Sequence, residues 1–175
     1  MNEYSNLVIL IPIVVLVAVR DWHRVNITLF AALIACLVAY VTYLALPIAF
    51  PRPALGEGLA DRVLAAEYAA DFSPGANKLP SLHVTFAWLV ALASRGQRLG
   101  RIGDVALFGL AAAISVSTLL VKQHILIDVA AGTLLAFTAY ALAGRLYWRV
   151  VDPTREPRDV LRQLLRSPRA FVRGT

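Results

Sequence analysis

The sequence predicts an all-α membrane protein: a compact bundle of about five transmembrane helices, plus one extracytoplasmic interfacial helix. Of its 175 residues, 59% are hydrophobic, and the mean hydropathy is +0.67, more apolar than an ordinary soluble domain. The apolar residues also fall into runs that approach the roughly 20 residues needed to cross a hydrocarbon core of about 30 Å. We expect one transmembrane catalytic domain over residues 1–151 and a basic cytoplasmic tail over 152–175.

Five apolar runs are candidate spans. In chain order they cover residues of about 6–22, 25–50, 79–94, 102–121 and 125–151. The first lacks a basic segment before it and a small-residue cleavage site after it, so we expect a retained span rather than a signal peptide. The third is the shortest, and we keep it because basic residues border one end and a polar cluster the other.

The outer loop, residues 54–77, has the pattern of an amphipathic interfacial helix. Apolar residues recur there at steps of three to four, with acidic residues between them: Leu55, Leu59, Val63, Ala66 and Ala70. The segment Phe72-Ser-Pro-Gly75 would end this helix. Such a helix could cover a site or guide a lipid headgroup, or it could be a plain connector.

Basic residues are distributed unevenly between the two sides of the predicted membrane domain. Thirteen of the seventeen Lys and Arg residues fall in one set of connections and in the tail, and four in the other set. The positive-inside rule then places the N-terminus outside and the C-terminus in the cytoplasm, and we expect the membrane to be a bacterial plasma membrane. The formal charge of +6 therefore reflects topology, and we expect no nucleic-acid partner. The tail could lie as a helix on anionic headgroups or be solvated.

Polar side chains cluster at three helix ends on the predicted outer side. They occur in Phe50-Pro-Arg-Pro53, in Lys78-Leu-Pro-Ser-Leu-His83 and in Lys122-Gln-His124-Ile-Leu-Ile-Asp128. Polar groups near hydrocarbon are costly and usually functional. These residue types suggest a histidine nucleophile acting on phosphorus, a second histidine as proton donor, and cations that hold phosphate oxygens.

His124 and Asp128 are four residues apart, which on a helix places them on one face. A carboxylate at that spacing can fix the tautomer of the histidine and direct its other ring nitrogen to a substrate. The alternative is that Asp128 caps the helix or pairs with Lys122.

His83 follows Pro80 and Ser81 at the predicted start of the third span. Proline suits an early helix position and serine suits the N-cap, and helix N-termini bind phosphate through backbone N–H groups. Arg52 could grip phosphate oxygens bidentately, and Lys78 and Lys122 could add positive charge. Each of these residues alone could equally be an ordinary interfacial side chain.

Taken in order, three motifs resemble those of the type 2 phosphatidic acid phosphatase superfamily: Arg52-Pro53, Pro80-Ser81-x-His83 and Ser117-…-His124-x-x-x-Asp128. The Ser-Leu-His and Lys-Gln-His variants resemble the branch that contains inositol phosphorylceramide synthases more than the common phosphatases.

This resemblance implies a role for each matching residue. His124 would attack phosphorus and become a phosphohistidine, Asp128 would orient it, and His83 would protonate the leaving alkoxide. Phosphate oxygens would be bound by Arg52, Ser81 and Lys78. The resemblance implies no metal and no cofactor.

The sequence departs from the family pattern at two cationic positions. Ala45 stands where the first motif usually has lysine, and Thr118 stands where the third usually has arginine. Lys78 and Lys122 could replace these cations. Family members also commonly have six spans, one more than the five predicted here.

Three functions fit these observations. The first is a phosphatase acting on polyprenyl phosphate or diphosphate, phosphatidic acid or phosphatidylglycerophosphate. The second is a phosphotransferase that passes a phospho-headgroup to an alcohol such as inositol or a sugar lipid. The third is a non-enzymatic lipid-binding protein. In each case the partners are membrane lipids, with a lipid phosphate as substrate in the first two.

Overall fold

The computed structural model describes residues 21–47, 54–70, 79–97, 99–120 and 124–152. These residues form five helices: α1 (Trp22–Ala45), α2 (Leu59–Ala70), α3 (Leu82–Ser94), α4 (Gly100–Leu120) and α5 (Leu126–Val151). Three of them, α1, α4 and α5, are long and apolar enough to cross a membrane. The all-helical prediction is thus confirmed for the described chain, and the three long apolar helices are consistent with a membrane protein. The count of five spans stays a prediction. The predicted span over 6–22 lies almost wholly outside the described residues, and so does the tail after Asp152.

Helix α1 begins earlier than the sequence pattern indicated. The apolar run that predicts this span begins at Val25, after a charged stretch. In the structure Asp21 is the N-cap, and its side chain accepts a 2.9 Å hydrogen bond from the backbone N–H of His23. A carboxylate at this position satisfies a backbone donor that has no partner within the helix, so the helix can start at Trp22.

Helix α3 lies at the centre of the bundle and packs against α1, α4 and α5. Val84, Ala91 and Ala93 on this helix are fully buried. With 13 residues and a rise of about 1.5 Å per residue, α3 is about 20 Å long, shorter than a bilayer core of about 30 Å. Its neighbours shield it on several sides, so its length need not match the lipid.

Two long side chains of α1 hold the two ends of α3. At one end, Arg24 donates from Nη1 to the carbonyl of Arg95 over 2.8 Å. At the other, the hydroxyl of Tyr43 donates to the carbonyl of Pro80, also over 2.8 Å. The shortest of the apolar helices is therefore fixed at both ends by one neighbour.

Helices α1 and α5 pack against each other, and each carries a series of buried small residues. The completely or almost completely buried alanines are Ala31, Ala35 and Ala39 on α1 and Ala136, Ala139 and Ala143 on α5. Small side chains allow membrane helices to approach closely, where van der Waals contacts stabilise them. Large apolar side chains such as Leu33, Leu37 and Leu44 are exposed, as expected for surfaces that face lipid.

Helix α2 falls within the outer loop, where the sequence pattern predicted a helix. Its first turn is stabilised by Asp61, whose Oδ2 accepts from the N–H of Gly58 over 3.3 Å. A helix is thus present at the predicted place, and its interfacial position outside the cytoplasm stays a prediction. Its predicted end at residues 72–75 lies outside the described part of the chain.

The bundle end opposite His83 and His124 is held by a separate set of polar contacts. The hydroxyl of Tyr147 and Nδ1 of His23 are 2.8 Å apart, and the His23 ring packs on Trp148 with centroids 4.9 Å apart. Both carboxylate oxygens of Asp104 accept from the N–H of Gly96 at 2.8 Å. These contacts join the ends of α1 and α5 and the turn between α3 and α4.

Candidate active site

His124 and Asp128 form a buried pair at the start of α5. Nδ1 of His124 lies 3.3 Å from Oδ2 of Asp128, and the exposed fractions of their side chains are 8% and 1%. A carboxylate facing Nδ1 favours the tautomer that carries its proton there, so the lone pair of the neutral ring lies on Nε2. The predicted spatial pairing of these two residues is thus present.

The backbone geometry of this pair differs from the expectation of a continuous helix. His124 precedes α5, which begins at Leu126, and the His124 N–H donates to the carbonyl of Thr118 over 3.2 Å. Asp128 is in the first turn, and its Oδ2 also accepts from the N–H of Ile125 over 3.1 Å. Asp128 therefore caps the helix and contacts the histidine with the same oxygen, so the two sequence interpretations hold together.

The second oxygen of Asp128 occupies an unusual position. Asp128 is completely buried, and its Oδ1 has no hydrogen-bond donor among the residues that the structure describes. A buried carboxylate with so few donors interacts strongly with any positive charge beside it, because solvent does not screen it. Positive charge that develops on the His124 ring would therefore be stabilised.

His83 faces this pair from the first turn of α3. The rings of His83 and His124 have centroids 6.4 Å apart and are inclined by 62°, and His83 is exposed. The two histidines come from segments that are 41 positions apart in the sequence. Their separation allows one small group between them to contact both rings.

Ser81 is the N-cap of α3, as the sequence predicted. Its Oγ accepts from the N–H of Val84 over 3.5 Å, and the residue is fully buried. Pro80 precedes the cap rather than occupying the first turn. The start of α3, where backbone N–H groups and the helix dipole favour an anion, is thus close to both histidines.

Helices α3 and α5 come into backbone contact next to the histidines. A Cβ added to Gly132 would lie 2.5 Å from the carbonyl oxygen of Ser81 and 3.3 Å from Oγ1 of Thr85. The Thr85 hydroxyl bonds the Ser81 carbonyl at 2.8 Å and lies 3.0 Å from the Gly132 carbonyl. Sequence reasoning missed both residues, although Gly132 continues the four-residue spacing of His124 and Asp128.

The predicted cationic ligands lie outside the described residues, namely Arg52, Lys78 and Lys122. The structure does describe Ala45 and Thr118, the two positions that depart from the family pattern. Ala45 is exposed at the end of α1, whereas Thr118 is buried and its hydroxyl donates to the carbonyl of Ser115 over 2.9 Å. Among the described residues no group of three or more His, Cys, Asp or Glu side chains could hold a metal ion.

The His124–Asp128 pair and the second histidine, His83, thus lie together at helix starts within an apolar helical bundle. The sequence model of the PAP2 superfamily matches residues 3–142. Since this match covers most of the chain, the protein belongs to the PAP2 superfamily, whose members are generally phosphatases. Comparison with curated proteins and with solved structures gives no match.

Proposed function

We propose that the protein is an integral membrane lipid-phosphate phosphatase that works through a phosphohistidine intermediate. The observation that carries this proposal is the buried His124–Asp128 pair with the His83 ring centroid 6.4 Å from that of His124. Membership of the PAP2 superfamily supports activity on phosphate esters. The apolar helices around the site support a lipid as the carrier of the phosphate.

In the first step, Nε2 of His124 attacks phosphorus. A P–N bond forms, the bond between phosphorus and the lipid oxygen breaks, and the lipid leaves as its alcohol. Asp128 holds the proton on Nδ1 and balances the positive charge of the phosphorylated ring. This is the role of an orienting carboxylate behind a histidine.

His83 supplies the proton that the departing alkoxide needs. An alkoxide is a strong base and leaves slowly unless it is protonated as the bond breaks. His83 is exposed, so its ring is accessible to a substrate. In the second step it accepts a proton from water as that water attacks the phosphohistidine, so inorganic phosphate is released and both histidines return to their starting states.

Phosphate oxygens need positive partners as charge builds up in the transition state. We assign this role to Arg52, Lys78 and Lys122, together with the N-terminus of α3 and the hydroxyl hydrogen of Ser81. The lysines are needed here because Ala45 and Thr118 lack the charges usual in the family. Helix α2, in the outer loop, would guide the headgroup towards this site.

Phosphate release from purified protein tests this proposal. The substrate panel contains phosphatidic acid, phosphatidylglycerophosphate and polyprenyl phosphate and diphosphate, in mixed micelles without added metal. We expect at least one substrate to be hydrolysed and His124→Ala to lose the activity. The matched control is His23→Ala, which removes a histidine from the opposite end of the bundle and should retain turnover.

The same assay distinguishes hydrolysis from transfer. Inositol or a sugar lipid is added, and the products are separated by mass. Unchanged phosphate release supports a hydrolase, whereas a new phosphomonoester of the added alcohol at the expense of free phosphate shows a transferase. Absence of both products across the panel would contradict an enzymatic function.

A further inference from the structure

One peptide group, between Pro80 and Ser81, connects two helices that flank the histidines. Its carbonyl accepts a 2.8 Å hydrogen bond from the hydroxyl of Tyr43 on α1. Its N–H donates to the backbone carbonyl of Asp128 on α5 over 3.2 Å. Pro80 and Ser81 are both buried, so these two bonds operate where water does not compete for them.

This peptide lies between the proposed acid and the proposed nucleophile. His83 follows it by two residues in the first turn of α3. On its other side, Asp128 is the residue whose side chain lies 3.3 Å from His124. The position of the His83 ring relative to the His124 ring therefore depends on how this one peptide group is held.

We propose that Tyr43 is a positioning residue for the general acid: its hydroxyl holds the Pro80–Ser81 peptide so that His83 meets the oxygen that leaves phosphorus. The inference rests on the proposed phosphatase function and adds a residue outside the three motifs. Loss of the Tyr43 hydroxyl leaves a buried carbonyl without the donor that the structure gives it. A buried acceptor without its partner is unfavourable, so the peptide and the adjoining turn of α3 would move.

If only the general acid is misplaced, the loss of rate depends on how basic the leaving group is. A lipid alkoxide needs a proton as it departs, whereas p-nitrophenolate is a weak base that leaves without one. Misplacement of His83 should therefore slow cleavage of an alkyl phosphate and spare cleavage of p-nitrophenyl phosphate. A general loss of folded protein would reduce both rates by the same factor.

The test compares Tyr43→Phe with wild type on a short-chain phosphatidic acid and on p-nitrophenyl phosphate. General acids contribute about 10²- to 10⁴-fold, and partial misplacement should lower kcat for the lipid about tenfold, with KM nearly unchanged and with little effect on the aryl substrate. His83→Ala should show the same dependence on leaving group with a larger amplitude. Because the two rates are compared as a ratio, the result does not depend on the fraction of folded protein.

Tyr40→Phe is the matched control. Tyr40 is on the same helix, is 60% exposed, and packs edge-on against Tyr43, so removal of its hydroxyl should leave both rates unchanged. The inference is overturned if Tyr43→Phe behaves like Tyr40→Phe, or if both substrates slow equally. If wild-type protein hydrolyses neither substrate, the proposed function fails and the inference fails with it.

Discussion

At the scale of single residues, Asp128 has two structural roles. One of its oxygens accepts from the N–H of Ile125 and lies against His124, so the carboxylate fixes the first turn of α5 and the imidazole together. A side chain that defines both a helix start and a ring orientation couples the fold to the site. The position of His124 is consequently set by where α5 begins.

Thr118 brings no charge to the position where the third motif of the family usually has arginine. Here the residue is buried, and its hydroxyl donates to the Ser115 carbonyl. Thr118 contacts the site through its own carbonyl, which accepts a hydrogen bond from the backbone N–H of His124. Thr118 therefore helps to hold the backbone of His124 and adds no charge.

Replacement of the lysines tests how the missing charge is supplied. We expect Lys122→Ala and Lys78→Ala to lower kcat by about 10²- to 10³-fold, the cost of removing one charge-stabilising donor. Arginine at either position should restore much of the activity, because it keeps the charge. Steady-state phosphate release with the preferred lipid measures the effect.

Arg62→Ala is the control for the lysine variants, since Arg62 is an exposed cation on α2. Its activity should stay close to that of wild type. Near-normal turnover in both Lys→Ala variants would show that neither lysine replaces a missing cation.

Pairs of helices, rather than single helices, determine the geometry of the site at the next scale. Helices α3 and α5 meet where Gly132 lies against the carbonyl of Ser81. This approach places the Ser81 N–H within 3.2 Å of the Asp128 carbonyl. A larger residue at position 132 would separate the two helices and the two histidines with them.

Gly132→Ala should therefore reduce both stability and activity. Its Cβ would meet backbone at 2.5 Å, and overpacking of this kind costs about 1–3 kcal/mol. Thermal unfolding in detergent and lipid-phosphate hydrolysis report the two effects.

Gly109→Ala provides the comparison. This glycine lies in α4, and an added Cβ would have no atom within 4 Å among the described residues. Since alanine is the better helix former by about 1 kcal/mol, this variant should be as stable as wild type or more so. Equal behaviour of the two variants would show that close packing at Gly132 is unimportant.

Local sequence patterns predicted some of these elements well. Ser81 was recognised as a cap because an N-cap serine acts on backbone only three residues away. Helix α2 was recognised because apolar residues recur along it at helical spacing. The start of α1 was missed, since the charges after Asp21 resemble those of a loop whereas the carboxylate in fact caps the helix.

Tertiary contacts explain what the sequence could not reveal about the site. Tyr43 contacts a carbonyl 37 positions away, and nothing in its neighbourhood distinguishes it from Tyr40. Gly132 had a weak signal in its spacing from Asp128, but its purpose depends on the path of another helix. The roles of such residues can be identified only from the way the helices pack.

The whole molecule has a strong charge asymmetry that predicts its orientation. Most Lys and Arg residues flank one side of the helices, so the positive-inside rule places the α3–α4 turn in the cytoplasm and the α2 segment outside. The polar contacts of His23, Arg24 and Asp104 lie at the end that this rule assigns to the cytoplasm.

Cysteine labelling on intact cells tests this orientation. Cys36 is the only cysteine in the sequence, so Cys36→Ser gives a background that lacks thiols. An impermeant maleimide should then label Glu57→Cys and leave Gln97→Cys unlabelled until the membrane is permeabilised. The reverse pattern would invert the proposed topology, and retained phosphatase activity confirms that the variants fold.

The short length of α3 has a consequence for counting the crossings of this chain. A hydropathy scan that requires about 20 apolar residues would pass over the 13 residues of α3. It would then assign every later span the wrong direction across the membrane. His83 and His124 would then be assigned to opposite leaflets. Their ring centroids are 6.4 Å apart, at the beginning of α3 and after the end of α4, so if α4 crosses the membrane then α3 must carry the chain across in the other direction. The proximity of the two histidines thus determines whether α3 counts as a crossing, which its length alone leaves ambiguous.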